Sequence, residues 1–188
     1  LMGASAVFVA PRDRRAARDD ADVHRYVVHN VAHLLLANMT PSYWFGNRKA
    51  GWVDAGVAHW FEWQLDERCS TFCIEEVMMQ PGMGYKGGKW QVGVRKLLEA
   101  GQLVPFSDLY QLNTDQLELQ HHAQAFAYVD FLLATRGGKK FAGFIRALKN
   151  KAEQRDALQD AFGLQPLQFD AAFHAWVRET YPLQKVRR

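Results

Sequence analysis

The chain has few cysteines, little net charge and no long hydrophobic run, and each shortage excludes a class of protein. Cys69 and Cys73 are too few for the disulfide framework of a small secreted domain. Their spacing, in what the pattern predicts to be a helix, allows a local bridge or two buried thiols. The 23 basic and 20 acidic residues are well mixed, which argues against a nucleic-acid partner.

No apolar stretch approaches the roughly 18 residues that indicate a membrane-spanning helix. The first residues also lack the order of charged, apolar and small residues that marks a signal peptide. Because the chain begins at Leu1 rather than Met, we expect it to be a piece of a longer protein, and its compartment stays open. With 188 residues, 48% of them hydrophobic, one domain with one sizeable core is expected.

Most of the sequence has the apolar spacing of α-helices, so the predicted fold is mainly α. A short β-prone run over residues 4–10 predicts one edge strand, whose partner strands would lie upstream. The expected organisation is a strand and loop over residues 1–21, a helical domain over 22–182 and a basic tail over 183–188. The predicted helices cover residues 22–39, 52–66, 70–79, 89–100, 114–135, 138–150, 153–162 and 166–180.

Two histidines, His29 and His33, lie four residues apart on the first predicted helix. This spacing places both imidazoles on one face, where they can bind the same metal ion. The pair alone is weak evidence, because a half-buried helix with two hydrogen-bonded histidines has the same pattern. A second segment with its own pattern follows about 20 residues later and reads Gly-Trp-Val-Asp-Ala-Gly-Val-Ala-His-Trp-Phe-Glu over residues 51–62.

Together the two segments resemble the gluzincin, or peptidase MA-like, metallopeptidases. In that family a His-Glu-x-x-His helix is followed by a helix that reads roughly Trp-Leu-x-Glu-Gly-x-Ala-x-Tyr-x-Glu. The two histidines and the Glu before Gly hold zinc, and the Glu after the first His activates water. His29 and His33 match the metal histidines, and the residues that match the second helix are Trp52, Gly56, Ala58, Trp60 and Glu62.

The resemblance extends over about residues 22–180. Residues 100–109 are similar to the linker of the family, residues 122–132 to its long closing helix, and residues 136–148 and 157–164 to its terminal helices, with Phe173 and Trp176 completing the pattern. The resemblance therefore implies the helical half of a zincin-like metallopeptidase domain, with a short N-terminal strand remnant.

This sequence departs from the family at two functional positions. Asn30 stands where the family has its general base, and Ala55 stands where it has the third zinc ligand. An amide cannot accept a proton near neutral pH, and a methyl group cannot bind a cation. The resemblance thus implies a catalytically inactive domain whose cleft serves binding, for example of a peptide or protein segment, or scaffolding. Zinc is a candidate cofactor with an incomplete ligand set.

The alternative is an active zinc hydrolase with substituted groups. His59, about 6 Å along the helix axis from Ala55, or Asp54, about 100° around the helix, would supply the third ligand. Glu62 or His122 would then handle the proton of the attacking water. An unrelated α-helical interaction domain would explain the pattern without any metal.

Other polar groups have simpler interpretations. The adjacent His121 and His122 are expected to be a solvated surface pair. Glu75 and Glu76 point about 100° apart on a helix, which predicts a solvated face rather than an acid–base pair. The cysteine pair could join a histidine in a separate metal site, although no second pair supports this.

Overall fold

The computed structural model describes residues 19–44, 46–73, 76 and 88–183, and it is mainly α-helical. A 3₁₀ turn over Thr114–Gln116 precedes the fifth helix, and none of the described helices is long and apolar enough to span a membrane. The predicted strand over residues 4–10 and most of the basic tail lie outside the described residues. The helices are α1 (Asp20–Asn38), α2 (Gly51–Asp66), α3 (Trp90–Glu99), α4 (Phe106–Leu109), α5 (Leu119–Arg136), α6 (Gly138–Lys149), α7 (Gln154–Phe162) and α8 (Pro166–Thr180).

The segment after α2 differs from the sequence prediction. A helix was expected over residues 70–79, but residues 70–73 are not helical. α2 ends where Glu67 adopts a left-handed backbone conformation with φ of 57°. The backbone N–H groups of Ser70 and Thr71 then donate to the buried carboxylate of Glu62. Because these groups bond a side chain of α2, the segment lies against α2 instead of forming its own helical turn.

The first helix has a defined partner at each end. At its start, the carboxylate of Asp19 accepts a hydrogen bond of 2.9 Å from the backbone N–H of Asp22, as an N-cap residue does. At its end, the ammonium group of the buried Lys149 donates to the carbonyl oxygens of Leu36 and Ala37, at 2.9 Å each. A cation at a helix C-terminus also favours the helix dipole. These contacts fix the helix that carries both histidines.

The second helix lies at the centre of the molecule, in contact with both α1 and α5. Gly56 permits its close approach to α5, because a Cβ at this position would lie 2.5 Å from the carbonyl oxygen of Ala125. Trp52, fully buried near the start of α2, anchors the aromatic core. Its indole N–H donates to Gln154 at 2.9 Å, so its polar atom is satisfied. The rings around Trp52 are those of Phe106, Tyr128, Phe144 and Phe169.

Candidate metal centre

The two histidines of α1 converge, as their spacing predicts. The Nε2 atoms of His29 and His33 lie 3.3 Å apart. Their Nδ1 atoms face carboxylates of α2: His33 Nδ1 lies 3.1 Å from an oxygen of Asp54, and His29 Nδ1 lies 3.5 Å from an oxygen of Glu62. Both imidazoles are thus oriented with Nε2 toward a shared point and Nδ1 toward an anionic partner.

Two further donor residues, Cys73 and Glu76, reach the same point from the segment after α2. The thiol sulfur of Cys73 lies 3.6 Å from His33 Nε2. The carboxylate of Glu76 places Oε2 at 2.9 Å from His29 Nε2 and Oε1 at 3.6 Å from His33 Nε2. Glu76 is fully buried, so the prediction of a solvated face is wrong for this residue. Both cysteines are buried free thiols, and Cys73 lies beside the α1 histidines rather than in a separate site.

Glu62 holds this segment in place. Its Oε1 atom accepts three hydrogen bonds, from the backbone N–H groups of Ser70 and Thr71 at 2.8 and 3.0 Å and from the Thr71 hydroxyl at 2.9 Å. Further along, the backbone N–H of Cys73 donates to Oε2 of Glu76 at 2.8 Å. The carboxylate of Glu62 thereby fixes the backbone that presents Cys73 and Glu76 to α1.

A second pair of histidines lies on the other side of Glu76. His59 Nε2 of α2 and His122 Nδ1 of α5 are 3.1 Å apart, and each is 3.5 Å from Glu76 Oε1. His59 Nδ1 faces Glu62 Oε2 at 3.5 Å, as His29 Nδ1 does. The ring of Phe72 packs edge-on against both His59 and His122. His122 is fully buried, so its predicted place in a solvated surface pair is wrong.

Three groups in this cluster could hold a metal ion, with the donor atoms of each group within 4.8 Å of one another. In a tetrahedral site with zinc–nitrogen bonds of about 2.0–2.1 Å, two nitrogen ligands lie about 3.3 Å apart, and a nitrogen and a thiolate sulfur lie about 3.6 Å apart. The separations of 3.3 Å between the α1 histidines and 3.6 Å from His33 to the sulfur match these values. The groups are His29, His33, Cys73 and Glu76; His29, His59 and Glu62; and His59, Glu76 and His122.

The carboxylates around the two histidines of α1 favour the protonated, positively charged form of both imidazoles. Burial by itself lowers the pKa of His29 and of His33, but adjacent carboxylates outweigh it: Glu76 for His29, and Asp54 for His33. The pKa of each histidine is therefore raised well above its ordinary value. Burial would raise the pKa of Glu76, yet the charge of His29 outweighs this effect and holds the pKa well below its ordinary range.

The other histidines favour the neutral imidazole, which is the form that binds metals. Burial lowers the pKa of His59, and it lowers the pKa of His122 to about 3. The pKa of Glu62 is lowered although the residue is buried. Burial would raise its pKa, but the close contacts with His29 and His59, at 3.5 Å each, outweigh this effect and bring the pKa down to about 2.

Asn30 and Ala55, which stand where the resembling peptidases have their base and third zinc ligand, take no part in the cluster. The side-chain amide of Asn30 donates to the carbonyl oxygen of Tyr26 in its own helix, at 2.8 Å. Ala55 is fully buried and offers no donor atom. Of the two predicted replacement ligands, His59 belongs to two of the possible metal groups. Asp54 instead contacts Nδ1 of His33, the ring nitrogen that points away from the other histidine of α1.

Sequence reasoning missed Cys73 and Glu76 as partners of the α1 histidines. The signal was a thiol and carboxylates close together in residues 69–76, all of them metal-ligand types. The residue pattern does not show that this segment lies over the α1 histidines, because that placement depends on contacts between residues that are not neighbours in the sequence. The hydrogen bonds from Ser70 and Thr71 to Glu62 accompany a non-helical backbone over residues 70–73.

An apolar pocket lies apart from the cluster. It has a volume of about 340 Å³ and is lined by residues of α1, α2, α5 and α6, among them Leu36, Val57, Val129 and Phe141. No residue of the histidine cluster lines it. A molecule in this pocket would therefore meet none of the donor atoms described above.

Comparisons with known proteins place the chain in no family. No protein-family model matches it, and no curated protein or solved structure is significantly similar to it.

Proposed function

We propose that this chain is a metallopeptidase-like domain whose catalytic zinc site has become a buried structural metal centre. The ligands are His29 Nε2, His33 Nε2, the Cys73 thiolate and the Glu76 carboxylate. The observation that carries the proposal is their convergence. The nitrogen–nitrogen and nitrogen–sulfur separations of 3.3 and 3.6 Å are those of a tetrahedral site, and Glu76 Oε2 lies 2.9 Å from His29 Nε2. Glu76 supplies the carboxylate that Ala55 cannot, and it does so from a different segment of the chain.

The surroundings of the two histidines support a metal centre. Histidines that bind metals almost always give their other ring nitrogen to a carboxylate, a carbonyl or water, which fixes the ring and its tautomer. Asp54 is the carboxylate next to Nδ1 of His33, and Glu62 is the carboxylate next to Nδ1 of His29. Asp54 is itself held by the indole N–H of Trp44 at 2.8 Å and the hydroxyl of Thr114 at 3.1 Å.

Imidazole and thiolate ligands together favour zinc among the common divalent ions. Structural zinc sites have four protein ligands, whereas catalytic sites keep one position for water. Here Cys73 fills the fourth position, and His29 and Glu76 are fully buried. Asn30 also bonds its own helix and provides no general base. These features favour stabilisation of the fold rather than hydrolysis.

An active hydrolase is the second candidate, because Glu76 completes a set of two histidines and one carboxylate like that of the resembling peptidases. We expect no chelator-sensitive cleavage of peptide substrates by the zinc-loaded chain. Such cleavage, lost in a His33→Ala variant, would favour the hydrolase. The predicted binding of a peptide or protein segment in the cleft stays a prediction.

The proposal is tested by metal binding to the purified chain after treatment with a chelator. We expect stoichiometric zinc binding by calorimetry and elemental analysis. With Co²⁺ as the probe, we expect a thiolate-to-cobalt charge-transfer absorption. His33→Ala should lose most of the zinc affinity, and Cys73→Ser should lose the cobalt–thiolate absorption while its side-chain volume hardly changes.

His24→Ala is the matched control, because His24 is exposed on the same helix. It should bind zinc as the unaltered chain does. Circular dichroism of each metal-free variant separates loss of ligand from loss of fold. Absence of zinc binding by the unaltered chain, or a cobalt–thiolate absorption that survives in folded Cys73→Ser, would contradict the proposal.

A further inference from the structure

One oxygen of the Glu76 carboxylate is left without a hydrogen bond by the four-ligand centre. Oε2 accepts from Cys73 N–H and faces His29, whereas Oε1 is buried and accepts no hydrogen bond from the described residues. Oε1 nevertheless lies 3.5 Å from both His59 Nε2 and His122 Nδ1. A buried carboxylate oxygen without a partner is unfavourable, because it has lost its hydrogen bonds to water without replacing them.

We propose that a second divalent transition-metal ion binds His59 Nε2, His122 Nδ1 and Glu76 Oε1, so that Glu76 bridges two ions. This inference rests on the proposed metal centre, whose ion would take Oε2. The three donor atoms are 3.1, 3.5 and 3.5 Å apart, close to the 3.3 Å expected between ligands of one ion. Imidazole nitrogen and carboxylate oxygen suit zinc, cobalt, iron or nickel.

The charges within the cluster support two ions rather than one. With His29 and His33 bound to the first ion as neutral imidazoles, the carboxylates of Asp54, Glu62 and Glu76 and the Cys73 thiolate give four negative charges around the histidines. Two divalent ions neutralise four negative charges, whereas one ion leaves two of them buried. Arg25 adds only a weaker attraction to Glu62. Hydrogen bonds to Asp54 and Glu62, and the attraction of Lys149 to Asp54, offset part of this buried charge. A second ion offsets more of it, so the donor set fits a dinuclear centre.

The simpler interpretation is a hydrogen bond between two neutral imidazoles, since His59 and His122 are 3.1 Å apart. That bond satisfies one nitrogen on each ring. It leaves Glu76 Oε1 and His122 Nε2 buried without hydrogen bonds among the described residues. An ion at the proposed position binds Oε1 together with His59 Nε2 and His122 Nδ1, and it leaves His122 Nε2 as it is.

The second ion would have three protein ligands and one position left for water or a small anion. Its surroundings are apolar, because the Phe72 ring packs on both histidines and the Trp90 ring lies 4.4 Å from that of His59. The two sites also differ in ligand type. Only the first contains a thiolate, which gives each site a separate spectroscopic signature.

The test is the stoichiometry of Co²⁺ and Zn²⁺ binding to the chelator-treated chain. We expect two equivalents for the unaltered chain and one for His122→Gln, with the cobalt–thiolate absorption of the first site retained. His121→Gln is the matched control, since His121 is the neighbouring residue and a glutamine can keep its capping contact with the Glu118 N–H. This control should bind two equivalents.

A carboxylate bridge also couples the unpaired spins of two cobalt ions. The paramagnetic resonance intensity per cobalt should therefore fall when the second equivalent is added. One equivalent for the unaltered chain, unchanged in His122→Gln, would overturn the second site and leave the proposed function standing. Loss of both equivalents in folded His122→Gln would also overturn it, by placing His122 in the first centre. No binding by the unaltered chain would remove both proposals.

Discussion

At the scale of single residues, the buried carboxylates divide into two roles. Glu76 faces the imidazole nitrogens that point into the cluster, whereas Asp54 and Glu62 face the nitrogens that point away from it. This division follows from where each residue is attached. Asp54 and Glu62 lie on α2 behind the α1 histidines, and Glu76 comes from the segment that covers them.

Asp54→Asn should weaken zinc binding about 10–100-fold, the usual effect of removing a carboxylate behind a metal-binding histidine. The amide removes the negative charge that orients His33 and raises its basicity. Competition titration against a chelating dye measures the change. Asp66→Asn is the control, because Asp66 also lies on α2 but pairs with Arg25. Equal zinc affinities for the two variants would contradict an orienting role for Asp54.

At the scale of secondary-structure elements, α2 determines the geometry of the centre. It supplies Asp54, His59 and Glu62, and it packs against the helices that carry the other histidines. Its distance from α5 depends on Gly56, where the backbones are too close for any side chain. A change in that distance would also separate His59 from His122.

Gly56→Ala should therefore destabilise the protein. The added Cβ would meet the backbone carbonyl of Ala125, and overpacking of this kind costs about 1–3 kcal/mol. Gly143→Ala is the matched control, because that glycine lies in α6 and a Cβ there meets no atom within 4 Å. The control should gain about 0.5–1 kcal/mol from helix propensity. Urea unfolding measures both, and equal stabilities would show that the α2–α5 contact can relax.

The sequence predicted most helices because they satisfy local rules. The helix predicted over residues 166–180 is α8, which begins with Pro166 at its first position, and its buried residues Phe169, Phe173 and Val177 recur at helical spacing. The helix predicted over residues 70–79 was wrong for residues 70–73, because the carboxylate of Glu62, 8 and 9 residues earlier, binds the backbone of Ser70 and Thr71. A rule based on neighbouring residues cannot include that contact.

At the scale of the whole molecule, the cluster connects elements that are far apart in sequence. Residues of α1, α2, the segment after α2 and α5 meet within it, so a metal ion would crosslink the core. An ion that binds the folded state and not the unfolded chain adds to the free energy of unfolding. Above Kd, the contribution of the centre to stability would then grow with the logarithm of the free zinc concentration.

Zinc should raise the thermal midpoint of unfolding. At a concentration 100-fold above Kd, binding adds about 2.7 kcal/mol. For a chain of this length that corresponds to a rise of about 5–10 °C. Calorimetry of the chelator-treated chain with and without zinc measures the change, and His33→Ala should not respond. A midpoint that is the same in both conditions would contradict a structural role for the metal.

The sequence by itself determined the helical class of the described fold and the shared face of His29 and His33, because both follow from the 3.6-residue period of a helix. It also showed that Asn30 and Ala55 lack the required chemistry, since that depends on residue type alone. Only the tertiary structure decided that Cys73, Glu76 and His122 join the same cluster. Their positions depend on the packing of α2 against α5 and on the hydrogen bonds of Glu62. These contacts join residues that are not neighbours in the sequence, so a local pattern cannot predict them.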